Sequence, residues 1–462
     1  MLLNPSFLKL HKIPIAFVIS SLLFYFSFAY SLQRADSIKL ISLYVALFFL
    51  FYKLVQINKS NFKFLTVLAF LFRAVFILAI PNLSQDFYRF IWDGRMILEG
   101  FNPYLYTPDF FISINDFPIW QAKELHEDMG SLSANHYTNY PPLNQLCFAL
   151  ANLFPGKSVL SSVIGLRLII IAADFGTLYF GKKLLKKLKL PSYNIFWYVL
   201  NPFIIIEFTG NLHFEGVMIF FLVWSLYLLY CNKWMLAALV FACSVSVKLI
   251  PLLFLPLFWQ WFLHNKKDAS TTLSMAKLIG FYVIVGLVVA LLFIPFYSQQ
   301  FIINYAETVG LWFQNFEFNA SLYYVAREIG YVYTGYNQIA IIGKYMAIFV
   351  ILFVIGLALL RKNTSMVQLI SAMLLALSFY YFTATTVHPW YLATLLILSV
   401  FTKYKFPLVW SLVIILSYLA YTNSNNTENL WVIGLEYIIV YAVFLYDILS
   451  KKSVESKLSE NL

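Results

Sequence analysis

The feature that most limits this chain is a succession of apolar runs. They lie at about 13–32, 38–56, 64–80, 158–181, 192–209, 213–231, 234–263, 274–297, 337–360, 366–386, 388–402, 406–422 and 429–449. Each is close to the ~20 residues a helix needs to cross ~30 Å of hydrocarbon. The 234–263 run is too long for one span, and Lys248-Leu249-Ile250-Pro251 interrupts it, so it reads as two shorter helices turning at that break. The expectation is an all-α polytopic membrane protein with about 14 membrane helices, some short or broken, forming a single domain over 1–462.

Composition agrees. The chain is 61% hydrophobic, against about 45–50% for soluble domains. Its 47 Phe and 32 Tyr suit aromatic belts at the two interfaces. A net charge of +11 suggests nucleic acid in a soluble protein, but here the lysines follow apolar runs, so topology explains them and no nucleic-acid partner is expected. Cys147, Cys231 and Cys243 have no metal or redox spacing and read as packing residues. Lys9 and Lys12 precede the first run with no clear small-residue cleavage site after it, so that run reads as a retained span.

With the N-terminus inside, Lys53, Lys59, Lys63, the Lys182–Lys189 cluster, Lys233, Lys266, Lys267, Arg361, Lys362, Lys403, Lys405, Lys451 and Lys452 all fall on the cytoplasmic side, and so does the C-terminus. The other side receives two long segments, 81–157 and 298–336, both poor in lysine. Each mixes aromatic and charged residues, including Trp120 with Glu124, and Trp312 with Glu317 and Arg327, as amphipathic helices on a membrane surface do.

The first outer segment opens with a polar island, Pro81 to Tyr106, holding Asp86, Arg89, Asp93, Arg95 and Glu99 in a protein only 11% charged. Charges this dense beside a span mark a site by default. The spacing predicts a short amphipathic helix over about 85–98, with Asp86, Arg89, Phe90 and Asp93 on one side, stopped at Gly100. An interfacial helix whose charges pair among themselves is an equally good reading of this stretch alone.

Four further constellations face outward. Asn211-Leu-His213-Phe-Glu215 lies between two runs; on a helix His213 and Glu215 point in different directions, and a capped loop is the plainer reading. Lys248 sits mid-membrane at the break and needs an anion or a partner, for which Asp174 and Glu207 are the internal alternatives. His388-Pro-Trp390-Tyr391 ends a span, where Trp and Tyr are usually belt residues. Asn139-Tyr140-Pro-Pro shapes a rigid turn before the chain re-enters the membrane. Together these groups suit a lipid-linked anionic substrate: cations for phosphate, carboxylates for a sugar hydroxyl, aromatics for a ring or a prenyl tail.

From Leu83 to Leu392, the order SQDFYRFIWDGRMILEGFNPY, NYPPL, NLHFEG, SVKLIPLLFLP and VHPWYL resembles the GT-C superfamily of membrane glycosyltransferases. It is most similar to the bacterial mannosyltransferases that use polyprenyl-phosphate-mannose. The resemblance implies an inverting hexose transfer, of mannose, from a polyprenyl-phosphate donor to a glycan or lipid-linked acceptor on the outer face of the bacterial plasma membrane. It implies that a carboxylate of the first large outer loop is the general base. Asp86 is the matching position and Asp93 the second candidate. The two stand seven apart, unlike superfamily members in which two acids are adjacent or separated by one residue, which leaves the base assignment open and weakens a case for a metal between them. No cofactor is expected, and a divalent metal is left open. Lys248 and Arg89 or Arg95 are the expected cations for the leaving phosphate, with His388 behind them. His213 and Glu215 are expected at the sugar hydroxyls, Trp390 as a stacking surface, and Tyr140 at the approach. The competing classes are a lipid-linked sugar transporter or flippase, which the broken helix at Lys248 would suit, and an assembly subunit without chemistry.

Overall fold

In lipid each backbone polar group must find its partner within the protein, which leaves helices as the economical solution for a chain of apolar runs. The computed structural model describes residues 5–263, 271–314, 316–423, 425 and 427–459. Lys266 and Lys267 lie outside the described residues, as do the side chains of Lys9, Trp312, Lys451 and Lys452. Among the described residues the fold is all helical, with one isolated parallel bridge between Phe318 and Thr386.

The expected number of about 14 membrane helices is not what the helices give. Seven are long and apolar enough to cross a bilayer, and a pair bent by 117°, Pro202–Gly210 and Glu215–Tyr230, makes an eighth if counted as one span. Trp234–Val247, Ile250–Leu263, Pro389–Val400 and Phe406–Thr422 are shorter apolar pieces. The run at 64–80 also falls short: its helix, Phe62–Ala74, ends at a buried Arg73 paired with Asp174. The discrepancy has one cause: hydropathy counts apolar residues, whereas prolines and buried polar side chains divide several runs into pieces too short to span.

The layers follow from burial. In Met366–Thr383, 72% of the most apolar stretch is enclosed by protein, against 17% in both Thr271–Phe296 and Ile339–Leu360. The first is therefore central, and the other two present their apolar side chains outward, as lipid-facing helices do.

Three local structures place the polar groups. The first is the Asp86–Leu98 helix. Its C-terminus closes as the sequence predicts: Gly100 takes φ +83°, the Phe101 N–H donates to Met96 O at 2.9 Å and the Gly100 N–H to Ile97 O at 3.1 Å. Gly94 lets this helix lie directly on the Pro142–Asn152 helix, since a Cβ there would stand 2.4 Å from the Phe148 carbonyl oxygen. Just before it, the Asn82 amide donates to Phe28 O and Leu32 O, tying the island to the end of the first helix.

The second is the bend between Pro202–Gly210 and Glu215–Tyr230. Ile205–Gly210 winds as a π-helical turn, a form that recurs at functional sites. Arg167 secures it, donating to Thr209 O at 2.6 Å, Gly210 O at 3.3 Å and Ile77 O at 2.9 Å. Leu212 then takes φ +65°, so residues 211–214 leave the helix and His213 and Glu215 turn toward the same region, not apart as on a regular helix.

The third is the break at Lys248. Trp234–Val247 ends there, Lys248 is extended at φ −149° and ψ 142°, and a 3-10 segment follows over Ile250–Leu257. The break stands where Pro251 requires it.

Candidate active site

Lys248 carries the link between these structures. Its ammonium pairs with Glu215 across the break, and it stands 5.8 Å from the centre of the Tyr140 ring and 5.9 Å from that of Tyr391. The internal partners expected from sequence, Asp174 and Glu207, are engaged elsewhere. Asp174 accepts from Arg73 at 2.8 Å, and Glu207 accepts from Tyr418 and Asn211.

Asp86 lies within electrostatic reach of this pair. Its charge interacts with Lys248, Glu215 and Arg34, and Tyr140 and Tyr391 both sense it. No side-chain hydrogen bond or ion pair to its carboxylate occurs among the described residues; only its backbone N–H is bonded, to Ser84 Oγ. It keeps some contact with solvent, yet is enclosed enough for lost hydration to lift its carboxyl from 3.8 to about 6. Lys248 opposes that rise, Glu215 adds to it, and Arg34 opposes it.

Asp93, two turns on, is fully enclosed and fully engaged, accepting from Arg89 Nε at 2.7 Å and from Gln145 Nε2 at 2.9 Å. Arg89 also donates to Ser133 O and His136 O, and Arg95 to Trp120 O at 2.6 Å, with Gln121, Asn152 and Ser162 at 3.3 Å. Both arginines therefore fasten the Asp86–Leu98 helix to its neighbours, although Arg89 Nη2 is buried without a hydrogen-bond partner. Neither is brought to Lys248.

The two histidines meet across an indole. Trp390 is sandwiched by His213, with centroids 3.7 Å apart and planes at 18°, and by His388, at 4.6 Å and 5°. The column continues through Phe318, 5.1 Å from His388, and Tyr421, 5.8 Å from Phe318, to the Arg34 guanidinium, 3.3 Å over the Tyr421 ring. Against the expectation of a Trp390 stacked on a sugar or a prenyl chain, both of its faces are occupied by imidazoles. His388 differs too. Burial, with Lys248 and then Arg34 adding to it, pushes His388 down to about 3, so it is neutral at physiological pH and offers a hydrogen bond, not a charge. The segment before it is held by the Phe318 bridge, where the Phe318 N–H donates to Thr385 O at 3.1 Å and the Val387 N–H to Phe318 O at 2.8 Å.

Several buried polar atoms in this region lack a hydrogen-bond partner in the protein: Glu215 Oε2, His213 Nε2, His388 Nδ1 and Arg34 Nε. Buried polar groups are rarely left so, and a cluster of them around one carboxylate and one ammonium is what a polar-substrate site requires. Among the described residues no three His, Cys, Asp or Glu side chains converge as a metal-holding group. Arg34, over Tyr421 at the end of the aromatic column, is not among the residues that the sequence points to, whereas Tyr391 lies in the His388–Tyr391 stretch. Arg34 had one signal available: it lies on the lysine-poor side of the predicted topology.

Residues 26–264, more than half of the chain, match the sequence profile of a family described as alpha-(1->6)-mannopyranosyltransferase, N-terminal domain. The chain belongs to this family. Its match takes in Arg34, Asp86, Tyr140, Glu215 and Lys248, while His388 and Trp390 lie beyond it. A relative of stated function is alpha-(1->6)-mannopyranosyltransferase A of Mycobacterium tuberculosis (strain ATCC 25618 / H37Rv), 21% identical over 196 residues. That alignment covers 42% of this chain and 36% of the relative, so the chain matches little more than a third of the relative's length.

Proposed function

We propose that this protein is a GT-C-type mannosyltransferase that moves mannose, with inversion, from a polyprenyl-phosphate donor to a hydroxyl of a glycan or lipid-linked acceptor. The reaction takes place at the outer face of the bacterial plasma membrane, with both termini cytoplasmic. Family membership supports the mannosyl class. The observation that carries the mechanism is the unengaged Asp86 carboxylate within electrostatic reach of the Lys248–Glu215 pair.

Asp86 accepts the proton of the acceptor hydroxyl as its oxygen attacks the sugar's anomeric carbon. The bond from that carbon to the phosphate oxygen breaks, and its electron pair leaves with the lipid phosphate. Such a transfer needs one base about 3 Å from the hydroxyl and no nucleophile on the enzyme. A carboxyl poised near 6 is largely ionised at neutral pH and basic enough to take a proton. Lys248 orients the phosphate, and Tyr140 and Tyr391 flank it. An alpha product formed with inversion requires a beta-linked donor, and a 1->6 linkage places the attacking oxygen on a primary alcohol, the least hindered hydroxyl of a hexose.

The test is transfer from polyprenyl-phosphate-mannose by the purified full chain. Asp86→Asn removes the base without changing shape, and a loss of about 10²–10⁴ in rate is expected. A variant that transfers at the wild-type rate excludes Asp86 as base.

A further inference from the structure

We propose that Arg34 is the second cation for the donor's phosphate and supplies the net positive charge that the Lys248–Glu215 pair lacks; this rests on the transfer reading above. Four observations carry it. Lys248 is already neutralised by Glu215. Arg34 has no carboxylate within ion-pair distance among the described residues, and its buried Nε makes no hydrogen bond. Its guanidinium carbon stands 3.3 Å from the centre of the Tyr421 ring, a contact that holds the group in place without cancelling its charge. The aromatic column joins it to the site: Tyr421 lies under the guanidinium at 3.3 Å, Phe318 is 5.8 Å from Tyr421, and His388 is 5.1 Å from Phe318.

The chemistry gives this cation a task. The bound donor is a phosphodiester with one negative charge. When its bond to the sugar breaks, the departing electron pair makes it a phosphomonoester, whose second charge is substantially present at neutral pH. A neutral ammonium–carboxylate pair offers little net field against that added charge. A guanidinium without a counter-ion offers a full one, and it matters more in the transition state than in the donor complex. The Asn82 amide, bonded to Phe28 O and Leu32 O, fixes the turn that carries Arg34 against the strand of chain leading into Asp86, so base and cation are held on one frame.

The full chain in lipid nanodiscs is assayed for mannose transfer with rising farnesyl phosphate, a short prenyl monophosphate standing for the leaving group. Arg34→Gln is expected to lower kcat by about tenfold or more with a smaller change in donor KM, and to raise the farnesyl phosphate inhibition constant about tenfold. Farnesol, which has the tail without the charge, is expected to act equally on both proteins. Lys39→Gln, in the helix that follows and tied to Ser31 O at 2.7 Å, is expected to behave as wild type. Unchanged inhibition by farnesyl phosphate in Arg34→Gln overturns the proposal. Should that variant fail to accumulate, Arg34→Lys carries the test: losing the fork raises the constant several-fold, and an unaltered constant again overturns it. If the wild-type chain transfers no mannose, the transfer reading fails separately. Farnesyl phosphate binding, read by calorimetry on wild type and Arg34→Gln, then decides the Arg34 site alone, and equal binding overturns it.

Discussion

Asp86 and Asp93 sit two turns apart on the Asp86–Leu98 helix, and only Asp93 is tied down, by Arg89 at 2.7 Å and Gln145 at 2.9 Å. One helix thus holds a structural carboxylate and an unbound one. Replacing each separates the two roles. Asp93→Ala strands a buried guanidinium and is expected to cost about 3–5 kcal/mol, read as a fall in detergent melting temperature, while folded protein keeps its kcat within a few-fold. Asp86→Asn is expected to do the reverse: transfer is lost and stability rises by on the order of 1 kcal/mol. Equal melting shifts in the two variants would contradict this division.

The pH profile follows from the sign of the Asp86 shift. Its carboxyl is raised from 3.8 to about 6 in the folded protein, so the folded state holds a proton between those values that the unfolded chain has released. Stability contributed by this group therefore falls as pH rises through that window, while activity, which needs the ionised form, rises through pH ~6 and levels above it. Lys248 opposes the shift, so Lys248→Met is expected to move the acid limb of kcat/KM to higher pH as well as weaken donor binding. A limb that stays in place would show that another group governs it.

Gly94 is where the site helix touches its neighbour. A methyl group there meets the Phe148 carbonyl oxygen at 2.4 Å and the Asn152 side-chain amide at 2.5 Å; the amide can turn aside, but the carbonyl cannot retreat without shifting the Pro142–Asn152 helix. Gly94→Ala is expected to cost about 1–3 kcal/mol. Because Asp86 rides on the displaced helix, kcat should fall too; a thermal melt and a transfer assay on one preparation check both.

Arg167 serves three carbonyls around the π-helical turn, and no smaller cation reaches them all. Arg167→Lys keeps the charge yet leaves buried carbonyls unserved, at about 1–3 kcal/mol each. The expected result is a lowered melting temperature and a raised donor KM through displaced His213 and Glu215, measured against Arg361→Lys as a distant control.

Much of this was legible in the sequence because it depends on short-range chemistry. The Asp86–Leu98 helix, its stop at Gly100 and the break at Lys248 all follow from glycine, proline and i,i+4 charge spacing. Pairings between distant segments were not legible. Lys248 could have met Asp174 or Glu207 on any argument from depth, and the choice of Glu215 depends on the bend at Leu212. Arg89 and Arg95 looked available for phosphate because nothing local shows that the carbonyls of Ser133, His136 and Trp120 would claim them. Arg34 could not be picked out for the opposite reason: its contact is with Tyr421, at the far end of the chain.

Sandwiching Trp390 between two imidazoles bears on which hexose fits. Carbohydrate sites often select by laying the apolar side of a pyranose against an indole, and in the site proposed above both faces of Trp390 are already taken. On the proposed function, Trp390 then offers a sugar its rim and not its face, and discrimination falls to the hydrogen bonds made by individual hydroxyls. Epimers such as glucose and mannose, alike in bulk and different at one carbon, are then told apart by hydrogen-bond reach and not by contour.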